Sequence, residues 1–305
     1  MTESSTPDGY QHPSHTSGES IAAVEATLEG QSRPARRRVN TSLWNYPATY
    51  TLIAINALVF AVMFPFGPVP ALLHAHQWTG ILTASFNGDT LIRFGATYSY
   101  LVQEGQWWRL VTGAFVHVTI LHILLNMWCL WNLGLFGEPL LGKRGLVAVY
   151  LLTGTAGMML SFAWAIFRFQ PTLVAGASGA VFGIAGILII LLSNRNLPVP
   201  WDELRSLRRQ VIFFAAINLV LGLGPDILAS GAASQLSALH INPNNLPRID
   251  NSAHLGGFLS GLALGIPLFP RMTAGRATYR RRQRITFAAA TLLICLIGYA
   301  LTKLV

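Results

Sequence analysis

The stretch Gly176-Ala177-Ser178-Gly179-Ala180-Val181-Phe182-Gly183-Ile184-Ala185-Gly186-Ile187-Leu188-Ile189-Ile190-Leu191-Leu192 is apolar almost throughout, yet it is too short to cross a membrane. At about 1.5 Å per helical residue, 178–192 reaches roughly 22 Å, against a hydrocarbon core of roughly 30 Å. If the polar end Ser193-Asn194-Arg195 anchors it at one surface, Ser178 begins the helix well below the other. Non-helical backbone survives at that depth only where it is buried in protein or lines a wet cavity. The sequence therefore brings water to a serine inside a membrane, which points to hydrolytic chemistry.

Working outward, 52% of the 305 residues are hydrophobic and only 11% are charged, the composition of a polytopic membrane protein. Seven apolar stretches qualify as spans: 45–64, 120–136, 146–167, 178–192, 211–223, 253–269 and 285–301. The net charge of +9 would suggest nucleic acid in a soluble protein, but here the basic residues fall in alternate loops. With the N-terminus inside, the inner segments hold 16 of the 21 Lys+Arg; Arg93, Arg109, Arg168, Arg248 and Lys303 fall outside. That split follows the positive-inside rule for seven spans, with the C-terminus outside. No nucleic-acid partner is expected, and the lipid bilayer is. A bacterial plasma membrane is the expected location, since no Arg-rich amphipathic leader is evident.

Residues 1–40 are rich in Ser, Thr, Pro, Gly and His and end in Arg36-Arg37-Arg38, reading as a disordered cytoplasmic tail. The chain then divides into a catalytic core at 41–270, a basic linker at 271–284 and a last span at 285–305. The connection 65–118 carries Trp78, Ile81, Leu82, Leu91, Ile92, Tyr98, Tyr100, Trp107 and Trp108. That aromatic density suits a membrane interface, so short amphipathic helices are expected there. His74 and His76 lack a third ligand, so no metal is expected, and no cofactor. Cys129 and Cys295 lie within apolar spans and read as small buried hydrophobes.

A serine nucleophile needs a base within reach and donors aimed at the developing oxyanion. The two lysines, Lys143 and Lys303, sit in a loop and at the C-terminus, which nearly excludes a Ser–Lys pair. His254 stands one turn into the sixth span, and Gly257, Gly261 and Gly265 share its helical face. Gly179, Gly183 and Gly186 form a matching seam on the fourth span. Packing the two seams together brings Ser178 and His254 within reach, with Phe182 beneath to stack on the imidazole. His122 and Asn126 share one face of the second span and supply oxyanion donors, adding to the Ser178 amide. His117 falls off that face and is assigned to ordering the adjoining loop. Asp250 is placed either to orient His254 or, as the residue type suggests, to cap the sixth helix. No His-Glu-x-x-His is present for a zinc protease, and Asp226 alone cannot make an aspartyl pair.

These residues resemble the rhomboid family of intramembrane serine proteases. Gly105-Gln106-Trp107-Trp108-Arg109 is similar to its Trp-Arg loop motif, and His117, His122 and Asn126 to its His-x4-His-x3-Asn pattern. Gly176-Ala177-Ser178-Gly179 is similar to its Gly-x-Ser-Gly, and Ala253-His254-Leu255-Gly256-Gly257 to its Ala-His-x-x-Gly. The resemblance implies an all-α, six-helix core to which the seventh helix is an addition. It implies Ser178 as nucleophile, His254 as general base and acid, and His122, Asn126 and the Ser178 amide at the oxyanion. Gly176, Gly179, Phe182, Gly257 and His117 support them. Position 182 is often Tyr in the family and is Phe here, which keeps the ring and loses the hydroxyl. The implied partners are single-span or multi-span membrane proteins, cut in or near a transmembrane segment. Gly222, Gly224 and Pro225 mark the fifth span as a lateral gate. Two other readings stay open: a silent relative that binds membrane proteins, and a proton-coupled transporter using His122 and His254, which the lack of an internal repeat disfavours.

Overall fold

The structure is a computed structural model that describes residues 41–67, 84–231, 250–271 and 273–303. The tail 1–40 lies outside the described residues, as do His74, His76, Trp78, Ile81 and Leu82. From Ser42 onward the chain forms one compact unit. Its helices are α1 (Pro47–Met63), α2 (Gly88–Arg93), α3 (Ser99–Gln103), α4 (Arg109–Thr112), α5 (Ile120–Leu141), α6 (Lys143–Arg168), α7 (Ser178–Leu191), α8 (Trp201–Gly231), α9 (Asn251–Leu268) and α10 (Arg276–Lys303). This is an all-α polytopic membrane protein. Among the described residues, α1 with its 3-10 extension, α5, α6 and α10 are long and apolar enough to cross a membrane.

Each of the seven apolar stretches lies on one of these helices, although two helices run well past the apolar signal. α8 extends 211–223 in both directions, and α10 begins at Arg276 rather than 285. Hydropathy marks where a helix meets lipid; the helix itself continues until a residue stops it. Arg, Gln and Tyr do not stop one, whereas Gly275, at φ +92°, does.

α7 sits at the centre. It is apolar on every side, which in a helix means an interior position. Ala180, Ile184, Ala185, Ile187, Leu188 and Leu191 are fully buried. α6, α9, α5 and α8 surround it, and the tightest approach is to α9. There the glycine seams meet backbone to backbone. A Cβ on Gly257 would fall on the carbonyl of Gly179, and one on Gly261 on the carbonyl of Gly183. Further along the register drifts, so that Gly265 faces Ile190 and Gly186 faces the Phe258 carbonyl.

The depth of Ser178 can now be placed against a neighbour. A Cβ on Gly179 would lie 3.8 Å from the Gly157 Cα of α6. Gly157 is 11 residues before the end of α6 at Arg168, so α7 begins roughly 16 Å below that end. The short helix starts near the middle of its long neighbour.

Several polar groups inside the bundle pair with one another, which offsets the cost of burying them. Glu138 of α5 accepts from the Ala48 and Thr49 amides at 2.9 and 2.8 Å and from the Thr49 hydroxyl at 2.7 Å. It thereby caps the first turn of α1. Tyr150 of α6 donates to the Ala114 carbonyl at 2.8 Å and accepts from Asn56 of α1 at 3.0 Å. The described part of the aromatic connection holds three short helices and a two-residue strand, Thr97–Tyr98. That strand pairs antiparallel with Leu173–Val174, just before Ser178. Arg109 holds this segment together by donating to the Ile92 and Ala96 carbonyls at 2.7 and 3.1 Å and to Gln106 at 2.7 Å.

Candidate active site

Three segments meet at the buried start of α7. The first is the turn Gly176-Ala177, which delivers Ser178. The Gly176 amide donates to the Gly113 carbonyl at 2.9 Å, tying the turn to the aromatic connection. Gly176 has φ +134°, a conformation that L side chains rarely adopt. Space demands glycine there as well: a Cβ would fall 2.7 Å from His122 Cε1 and 3.8 Å from Ser178 Oγ. The missing side chain thus leaves open the gap between His122 and Ser178.

His117 fixes the same turn from the other side. It is fully buried. Its Nδ1 donates to the Phe115 carbonyl at 3.3 Å, and its Nε2 accepts from the Ala177 amide at 3.4 Å. The two contacts select one neutral tautomer. Burial, with the nearby His122 ring adding to it, holds this imidazole well below the ordinary histidine pKa range. The ring meets His122 edge-on at 5.1 Å between centroids.

The second segment is the first turn of α9. His254 Nε2 and Ser178 Oγ lie 2.8 Å apart, within hydrogen-bond reach. Phe182, one turn along α7, stacks on the imidazole at 4.5 Å and 21°. Asp250 caps α9: its Oδ1 accepts from the Ser252 and Ala253 amides at 2.8 and 3.1 Å. Its Oδ2 accepts from the hydroxyl of Ser161, a buried serine of α6. Both carboxylate oxygens are therefore used elsewhere, and His254 Nδ1 is buried without a partner among the described residues. Of the two roles considered for Asp250, the geometry selects the cap. Ser161 carries no sequence signal beyond being a serine in the middle of an apolar span.

The third segment is the first two turns of α5. Thr119 caps the helix by accepting from the His122 amide at 3.0 Å. Asn126 is buried and donates one amide hydrogen to the His122 carbonyl at 3.0 Å. Gly179 and Gly257 lie at the contact of α7 with α9 that sets the Ser178–His254 distance. The structure thus brings His254, Phe182, His122, His117 and Gly176 together at one half-buried hydroxyl, that of Ser178, with Asn126 bonded to the His122 carbonyl. Among the described residues, no three His, Cys, Asp or Glu side chains come together as a metal site would require.

A family model, the Rhomboid domain, matches residues 104–271. "Rhomboid protease GluP" of Bacillus subtilis (strain 168) is 32% identical over 224 residues, covering 72% of this chain and 35% of that protein. "RHOMBOID-like protein 6, mitochondrial" of Arabidopsis thaliana is 28% identical over 261 residues, covering 80% of this chain and 76% of that protein. "Rhomboid-like protease 2" of Toxoplasma gondii is 30% identical over 211 residues, covering 68% of this chain and 65% of that protein. The chain spans about a third of the length of the Bacillus relative and just under two thirds of the Toxoplasma one.

Proposed function

The chain belongs to the rhomboid family, and on that premise we propose that it is an intramembrane serine endopeptidase acting through a Ser178–His254 dyad. The observation that carries this reading is the 2.8 Å contact between Ser178 Oγ and His254 Nε2, held by two helices in backbone contact. Ser178 Oγ attacks a carbonyl carbon in or near a substrate's transmembrane segment while His254 Nε2 takes its proton. His254 then gives that proton to the leaving amine, and an acyl-enzyme remains on Ser178. Water, deprotonated by the same imidazole, attacks the ester and releases the acid.

The oxyanion is met by donors at the gap over Gly176. These are the Ser178 amide, the His122 ring and the second amide hydrogen of Asn126, the first being committed to the His122 carbonyl. With Asp250 committed to the α9 cap, the His254 ring is positioned by the Phe182 stack rather than by a carboxylate.

A substrate span has an apolar place to lie. A cleft of about 420 Å³ between α7, α8 and α9 runs beside His254 and is lined by Phe182, Ile212, Ala215, Leu255 and Phe258. It makes α8 the side of lateral approach. The charge distribution supports an N-terminus in the cytoplasm, with Ser178 toward the outer half of the bilayer.

The test uses purified protein in detergent with a tagged single-span substrate. Ser178→Ala and His254→Ala each lower cleavage at least about 10³-fold, and a fluorophosphonate labels Ser178 in wild type but not in His254→Ala. Cleavage that survives both substitutions sinks the assignment. A wild-type protein that neither cleaves nor labels makes the chain a silent binder of membrane proteins.

A further inference from the structure

Among the described residues, the molecule has a second built cleft, far from Ser178. It lies where the α5–α6 turn meets α10 and has a volume of about 510 Å³. Lys143, Arg144, Arg280 and Arg284 line it, and no lining residue is acidic. None of the four forms an ion pair among the described residues. We propose that this cleft is a site for the phosphate head of an anionic phospholipid, which joins α10 to the rest of the bundle.

Four cations around one cleft repel one another unless an anion sits between them. Arg280 and Arg284 are one helical turn apart and face the same way. Arg282, between them, points elsewhere and donates to the Pro267 carbonyl at 3.1 Å. The opposite wall is the start of α6. Gly142, at φ +73°, ends α5 and opens α6, and no side chain caps that first turn. The free amides of a helix start add partial positive charge aimed at an anion.

The cleft is also held in shape. Gln283, only 7% exposed, donates to the Leu141 carbonyl at 2.9 Å and so pins α10 to the turn. Gly145 leaves room for this, since a Cβ there would come 3.2 Å from Gln283 Nε2.

Two features favour a lipid over a free phosphate. Leu141 and Phe287 line the same cleft as the four cations, and the apolar runs of α6 and α10 begin at 146 and 285, so the cleft straddles the polar–apolar boundary. Deeper between α6, α9 and α10 lies an apolar cavity of about 610 Å³, lined by Leu152, Met159, Leu160 and Leu293 among others. A phosphate held by the arginines leaves an acyl chain free to follow the α6–α10 seam into it. Arginine matches a phosphate through two parallel hydrogen bonds, which a diffuse basic surface does not provide.

The experiment is native mass spectrometry of the full chain, titrated in detergent with phosphatidylglycerol, phosphatidylcholine or inorganic phosphate. Wild type retains one phosphatidylglycerol in preference to phosphatidylcholine, and excess inorganic phosphate does not displace it. The pair Arg280→Gln and Arg284→Gln weakens retention tenfold or more, at about fivefold per charge near the surface. Arg280→Lys with Arg284→Lys, which keeps the charge and loses the paired hydrogen bonds, retains only part of it. Lys143→Ala with Arg144→Ala, changing the opposite wall, reproduces the loss should the glutamine pair fail to fold. Arg205→Gln with Arg209→Gln, basic residues outside the cleft, serves as control. Equal losses in the control and cleft variants overturn the site in favour of diffuse attraction. Displacement by inorganic phosphate overturns the lipid in favour of a soluble anion.

Discussion

The α7–α9 seam and the α6–α10 seam join helices in opposite ways. In the first, Gly179 and Gly183 meet Gly257 and Gly261 with no side chain between the backbones. In the second, large side chains meet across cavities of about 610 and 540 Å³, and Leu292, Leu293 and Leu296 of α10 stay more than half exposed. The tight seam sets a distance between two reacting atoms. The loose seam sets none, and lipid can enter it. A misplacement of about 1 Å at a catalytic pair costs on the order of 10²-fold in rate, so only the first seam needs its precision.

Breaking the tight seam gives the largest effect. In Gly257→Leu the new side chain meets the Gly179 carbonyl, and the two helices must separate. Cleavage falls at least about 10²-fold, with about 3 kcal/mol of stability lost; detergent unfolding read beside peptidase activity checks both. The α6–α10 counterpart, Ala290→Leu, points into a cavity and changes stability by less than about 0.5 kcal/mol with cleavage intact. Equal damage from the two substitutions would abolish the contrast.

Gly176→Ala tests the start of the tight seam. Its positive φ costs about 1–3 kcal/mol, and the methyl pushes into His122. Cleavage therefore drops more than stability does, a split read from kcat in variants that still fold.

A smaller effect separates cap from triad. Asp250→Ala costs about 1 kcal/mol, while Asp250→Asn, which still caps, costs less. Both keep kcat within about tenfold of wild type, because Asp250 makes no hydrogen bond to His254 Nδ1; a kcat loss of about 10⁴-fold in Asp250→Asn would restore the triad.

The smallest effect is a pH dependence carried by His117. Its folded pKa lies below the ordinary value of 6.5. The unfolded chain therefore binds the proton more readily, and the His117 contribution is full above about 6.5 and lost as the pH falls. Thermal unfolding of wild type at pH 8 and pH 5, compared with His117→Gln, shows a smaller acid loss in the variant.

Much of this was legible in the chain because hydropathy and spacing are local. The short run 178–192 pointed to a helix that starts inside the membrane, and α7 starts about level with Gly157 of α6. The seam glycines pointed to the pairing of Ser178 with His254. What local pattern could not supply was any contact between distant segments. Glu138 lies just past the apolar stretch 120–136, and only the fold shows that it caps α1. The strand at Thr97–Tyr98 is two residues long and has no periodicity to read. The ends of α8 and α10 escaped hydropathy, since charged residues continue a helix without marking it.

The sequence by itself determined the class of protein, its apolar helices and the residue types able to do chemistry, because these follow from composition and helical period. Only the tertiary structure decided where along α6 the helix carrying Ser178 begins, that Asp250 serves the α9 cap rather than His254, and that four cations from two distant segments share one cleft. Each of those depends on which backbones approach, and that depends on where a missing Cβ lets them.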